Sequence, residues 1–121
     1  EDPRSYKALF SLGRVYMAME KYTTATRYLH RAYALNAKHP TVVAYLGHAL
    51  YLNEELESAQ KVLDMALMLE ERNILAKFTR AKIWMQMGRN QTALDELMEI
   101  RRISPKEADV HFQLGTLLSN M

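Results

Sequence analysis

The sequence predicts an all-α chain of stacked helical hairpins. Three observations predict it: residue types that recur every 34 positions, few helix breakers, and Pro40, Gly88 and Pro105 at regular joints and turns. Four glycines and three prolines in 121 residues are too few for a loop-rich or all-β chain. The recurrence is clearest in the small residues. Gly13 is followed at 34-residue steps by Gly47, Ala81 and Gly115, and Ala25 by Ala59 and Ala93. The large columns keep the same step. Leu29 leads to Leu63 and Leu97, Ala32 to Ala66 and Ile100, Leu12 to Leu46, Arg80 and Leu114, and Tyr16 to Leu50, Trp84 and Leu118.

Taken in order, the first unit spans 6–39, with helices expected over 5–19 and 22–36. Leu12 and Tyr16, spaced i and i+4, share a face with Gly13 that is expected to be buried. Gly13 and Ala25 lie 12 apart, one on each helix, where two backbones approach closely. The second unit spans 40–73, with helices over 40–52 and 56–70 and Pro40 at its joint. The third spans 74–107, with helices over 74–87 and 90–103 and Gly88 at the turn between them. Ser104-Pro105-Lys106-Glu107 reads as the start of the next helix: serine cap, proline at the first helical position, glutamate three after the cap. Residues 108–121 then form the first helix of a fourth unit, expected over 107–119. The ladder stops halfway through a hairpin with Phe112, Leu114, Leu117 and Leu118 still apolar, which predicts a piece of a longer array whose open end can associate with another copy.

The period and residue types resemble the tetratricopeptide repeat, a helix-turn-helix unit of 34 residues. That resemblance implies a right-handed superhelical solenoid of three full repeats plus one helix. The segment 76-AKFTRAKIWMQMGRNQTALDELMEIRRISPKEADVHFQLG-115 is more individual, with Arg80-Ala81 where most units have Leu-Gly. It resembles the C-terminal repeats of the cell-division-cycle protein 27 family, scaffold subunits of the anaphase-promoting complex. Leu9 stands where that family tends to carry tryptophan. The resemblance implies a non-enzymatic part of a ubiquitin ligase of the mitotic cell cycle, intracellular and nuclear or cytoplasmic. Its implied partners are neighbouring scaffold subunits and the Ile-Arg C-terminal tails of activator proteins. The alternative reading is an adaptor of another assembly: a sister cyclosome scaffold, or a transport or chaperone-linked complex.

In such repeats the first helix of each unit lines the inner, concave face. Opposite the Leu12–Tyr16 stripe, the first unit offers Lys7, Phe10, Arg14 and Met17; the second Thr41, Ala44, His48 and Tyr51, with Tyr45 beside them. The third offers Leu75, Phe78, Lys82 and Met85, beside Thr79, and the partial unit Asp109, Phe112 and Thr116, beside Gln113. Ten of these form the candidate peptide-binding set: Lys7, Phe10, Arg14, Tyr45, His48, Tyr51, Phe78, Lys82, Asp109 and Phe112. Aromatic rings with scattered cations suit an extended peptide that carries apolar side chains and ends in a carboxylate, and Asp109 suits a basic residue of that peptide. The lysine–asparagine clamp by which chaperone-binding repeats hold a dicarboxylate tail is missing, since its columns hold Phe10, Arg14, Tyr45, Leu75 and Thr79.

The remaining composition excludes other classes. The net charge of +2 is too small to argue for nucleic acid or an acidic membrane surface. Apolar runs are too short to span a bilayer, and EDPRSYKAL lacks a basic region followed by an apolar one. The absence of cysteine removes disulfides and thiolate metal sites and fits an intracellular protein. His30, His39, His48 and His111 are spaced too widely for a metal pair, so no metal and no cofactor are expected. Trp84 falls in a packing column and is expected in the core, and Arg101-Arg102 reads as a solvated helix end suited to the dipole. There is no phosphate loop, HExxH or nucleophile elbow, so no catalytic residues are expected.

Overall fold

The computed structural model describes residues 5–106 and 108–120, without the side chains of 108–110 and 120. They form seven α-helices: α1 (Tyr6–Ala18), α2 (Tyr22–Leu35), α3 (Pro40–Leu52), α4 (Leu56–Leu69), α5 (Ile74–Gln86), α6 (Asn90–Ile103) and α7 (Ala108–Asn120). There is no strand among the described residues. The bounds agree with the sequence expectations to within one residue at each end. Two compact units result, residues 1–76 and 77–121, and the division falls inside α5.

Each intra-hairpin reversal is built the same way. Glu20, Glu54 and Gly88 have φ of 62°, 64° and 80°, the left-handed region, at 34-residue intervals. The amide of Glu20 donates to Met17 O at 3.0 Å and that of Lys21 to Tyr16 O at 2.9 Å. Glu54 and Glu55 repeat the pair onto Tyr51 O and Leu50 O, and Gly88 and Arg89 onto Met85 O and Trp84 O. This is the Schellman closure, in which a left-handed residue lets two amides satisfy the last free carbonyls of a helix. Gly88 was legible as a turn; the glutamates carry no such signature.

The helix starts also share a column. Ser5 Oγ accepts from the Ala8 amide at 3.2 Å, and Asn73 Oδ1 from the Ala76 amide at 2.9 Å, each satisfying an orphan donor of the first turn. His39, between them in the ladder, caps α3 without a side-chain hydrogen bond, and Pro40 supplies a preset φ at N1. The expected cap at Ser104 is a correction. Ser104 closes α6, Pro105 and Lys106 form a turn, and α7 begins at Ala108; Glu107 lies outside the described residues. Pro105 stands 34 residues past Glu71, which is also in a turn, so its fixed φ serves the reversal rather than a helix start.

In the compact unit of residues 1–76, α1 packs on α2, α3 on α4, and α2 on α3. Leu29 and Leu63 are fully buried, each worth roughly 1.5–3 kcal/mol in apolar burial. They sit against the two glycines. A Cβ on Gly13 would lie 2.6 Å from Leu29 Cγ, and one on Gly47 2.6 Å from Leu63 Cδ2. The close approach is therefore glycine to leucine, with the Ala25 carbonyl 3.4 Å from the Gly13 position. Leu12 departs from expectation: it is 38% exposed, whereas Leu46 in the same column is buried. Leu46 is on α3, which packs against α2, and no described helix precedes α1. Leu9 takes the anchoring role in α1, joining Ala32 and Val42 in a cluster flanked by Tyr6, Phe10, Tyr28 and Tyr33.

Candidate functional site

In the compact unit of residues 1–76 the inner stripe comes together as an aromatic and cationic cluster. α1 delivers Phe10 and Arg14 one turn apart, and α3 delivers Tyr45. The Phe10 and Tyr45 rings meet edge to face, with centroids 5.2 Å apart and planes at 78°. The Arg14 guanidinium lies over both, 5.7 Å from the Phe10 centroid and 5.3 Å from that of Tyr45. Such contacts hold the cation by the negative faces of the rings. Arg14 is exposed, and no carboxylate among the described residues pairs with it. One turn beyond Tyr45, the His48 and Tyr51 rings stack at 6.4 Å. Lys7 is exposed at the start of α1. Neither α1 nor α3 contains an aspartate or glutamate. This surface can accept an anion beside an apolar side chain.

Two neighbouring positions fall away from the expected stripe. Ala44 and Thr79 are fully buried and cannot line a surface, while Met17 is half-buried.

In the compact unit of residues 77–121 the cation-on-aromatic pair recurs. Lys82 Nζ lies 4.4 Å from the centroid of the Phe78 ring, at the ladder positions of Arg14 and Phe10. Phe112 is 70% exposed on α7. The side chain of Asp109 lies outside the described residues.

The sequence reading missed a polar network between α5 and α6. Arg80 Nη2 donates to Glu96 Oε1 at 2.7 Å, and Lys77 Nζ to Glu99 Oε2 at 3.1 Å. Lys77 also lies 3.8 Å from Glu96 Oε2. Lys77 and Glu96 are both buried. The Arg80 guanidinium lies over the Trp84 ring at 4.6 Å, which leaves Trp84 half-buried instead of in the core. The available signal was the pair of departures from the ladder, Arg80 opposite Leu46 and Glu96 opposite Val62. Two opposite charges entering apolar columns on facing helices predict one another.

Among the described residues no group of three metal-ligating side chains could hold an ion, and no helix is long and apolar enough to cross a membrane.

Comparison with known proteins places the chain. Over 118 residues, 98% of its length, it is 30% identical to anaphase-promoting complex subunit 3 of Schizosaccharomyces pombe, and it spans 18% of that relative. The fold superposes on the tetratricopeptide-repeat domain of Arabidopsis OM64 with a TM-score of 0.90, at 14% identity and 97% coverage of both chains. It also matches the first such domain of Spaghetti (RPAP3), solved with an HSP90 peptide, with a TM-score of 0.87, at 14% identity, covering 98% of this chain and 94% of that one. A tetratricopeptide repeat family model matches residues 16–83, more than half of the chain. With the 34-residue ladder and the recurring hairpins, this shows that the chain belongs to the tetratricopeptide repeat family.

Proposed function

We propose that this chain is a non-catalytic scaffold segment of an anaphase-promoting-complex assembly, nuclear or cytoplasmic, that holds C-terminal peptide tails on its inner stripe. Its repeats on this reading are 6–39, 40–73 and 74–107, with 108–121 opening a fourth. The similarity to the yeast subunit supports the assembly. The observation that carries the binding mode is Arg14 held over Phe10 and Tyr45 on helices without carboxylates. A peptide carboxylate pairs with the guanidinium while its apolar side chains lie on the rings. Lys82 over Phe78 offers a second such station. One charge-assisted hydrogen bond contributes about 1.5–3 kcal/mol, so a single tail binds weakly and assembly needs several contacts together.

The test is a fluorescence-anisotropy titration of one tail peptide in its free-acid and amidated forms, against wild type, Arg14→Glu and Lys82→Glu. The acid form should bind more tightly, and both substitutions should weaken it in proteins whose circular dichroism is unchanged. Equal binding of both peptide forms, with neither substitution having an effect, rejects the reading.

A further inference from the structure

The small net charge conceals a strong segregation along the chain. Between residues 5 and 53 there are six lysines and arginines and a single carboxylate, Glu20. Much of this excess collects on the outer side of α2. Arg27, His30 and Arg31 are exposed and spaced three and four apart, so they share one stripe, and exposed Lys38 follows in the joint. Neither Arg27, Arg31 nor Lys38 forms an ion pair among the described residues. Arg31 is steadied instead by the Tyr28 ring, 5.8 Å from its guanidinium carbon. Beside it opens a shallow depression of about 320 Å³, lined by Leu9, Arg31, Ala34 and Leu35. Leu35 is largely exposed there.

Stacking of repeats does not account for this surface. The positions equivalent to Arg31, Ala34 and Leu35 in the next hairpin are Met65, Met68 and Leu69. All three remain exposed, Met68 at 88%, although α2 and α1 precede them. The stripe is thus an outer one that neighbouring hairpins leave open. Its charge is peculiar to α2, since the columns of Arg27, His30 and Arg31 hold Lys61, Asp64 and Met65 on α4 and Asp95, Met98 and Glu99 on α6.

We infer that the outer stripe of α2 is a second docking surface, for an acidic peptide segment that places an apolar side chain in the Leu9–Leu35 depression and flanking carboxylates on Arg27 and Arg31. Charge complementarity selects the acidic partner, because no carboxylate of this chain pairs with these arginines among the described residues. The apolar depression selects a peptide over a nucleic acid. A duplex binder spreads roughly six to ten phosphate contacts over its surface, and three cations beside an apolar dent do not supply them. This surface is on the outer helix of the first hairpin, separate from the Phe10–Arg14–Tyr45 cluster, so the two sites can be tested apart.

The probe is a fluorescein-labelled, C-terminally amidated peptide with a leucine flanked by glutamates, titrated against the whole chain by anisotropy. Amidation removes the tail carboxylate on which the inner stripe depends. Binding should weaken at least about tenfold in the Arg27→Glu/Arg31→Glu double variant, which alters only exposed side chains. It should also weaken when the leucine is replaced by glycine, or when salt is raised, and stay unchanged in Arg14→Glu. The inference is overturned if the glutamine version of the peptide binds equally well, or if the double variant binds as wild type. It is overturned equally if Arg14→Glu abolishes binding, which assigns the peptide to the inner stripe, or if a duplex oligonucleotide of equal charge binds more tightly.

Discussion

Arg80 and Glu96 form a 2.7 Å ion pair between α5 and α6 at positions where the second hairpin has Leu46 and Val62. The carboxylate is shared with buried Lys77. Burying such charges costs desolvation, and their attraction returns it only while all partners are present. Glu96→Ala should therefore destabilise by about 2–4 kcal/mol, somewhat below the range for fully buried pairs because Arg80 is partly exposed. The double change Arg80→Leu/Glu96→Val should cost less than Glu96→Ala, because it removes both members of the pair and leaves buried Lys77 on Glu99 alone. Urea denaturation of the two variants decides the matter. A double variant as unstable as the single one would mean that the pair provides net stability.

The glutamates in left-handed geometry make an independent prediction. Any residue with a Cβ is disfavoured there, and among the described residues the exposed side chains of Glu20 and Glu54 make no hydrogen bond that would offset it. Glu20→Gly and Glu54→Gly should each stabilise by ~0.5–1 kcal/mol, and Gly88→Ala should destabilise by about 1 kcal/mol. Thermal melts give the sign directly. A loss of stability in both glycine variants would show that these glutamates have a role beyond the turn.

Leu63 is constrained from two sides. Gly47→Ala would push a methyl to 2.6 Å from its Cδ2 and should cost ~1–3 kcal/mol. Leu63→Ala should open a cavity and cost ~2–5 kcal/mol. Lys61→Ala, on the exposed side of the same helix, should stay within about 0.5 kcal/mol. Gly115→Ala, with nothing within 4 Å of the added methyl, should stabilise α7 by ~0.5–1 kcal/mol. Comparable losses at Gly47 and Gly115 in a denaturation series would contradict the packing described.

The helices and reversals were legible because a 34-residue period averages away local ambiguity. Gly13, Gly47, Ala25 and Ala59 announce close approach through size alone. Where a local motif competed with the ladder, the ladder proved the better guide: Ser104-Pro105 looks like a helix start, yet its position in the unit is that of a turn. Burial was less legible. Leu12 and Leu46 have the same type and column but differ in exposure, because among the described helices only that of Leu46 has another packed before it. The inner stripe could be read as a column, and its cations and rings as a composition. The seating of Arg14 over two rings could not, since it depends on rotamers of α1 and α3 together. The Arg80–Glu96 pair lay in plain sight, as two opposite charges in apolar columns.

The recurring left-handed turns have a consequence for how the polypeptide acquires its structure. Each closes a loop of two helices, and the wider ring contact of Phe10 with Tyr45 joins residues only 35 positions apart. Loop-closure entropy is therefore small at every step, and low contact order favours rapid folding that can nucleate in any hairpin and spread to its neighbour. The same locality lets the gene grow or shrink by whole units. Duplicating one hairpin adds a complete set of caps, glycine sockets and leucine plugs, and leaves the contacts inside the existing hairpins unchanged.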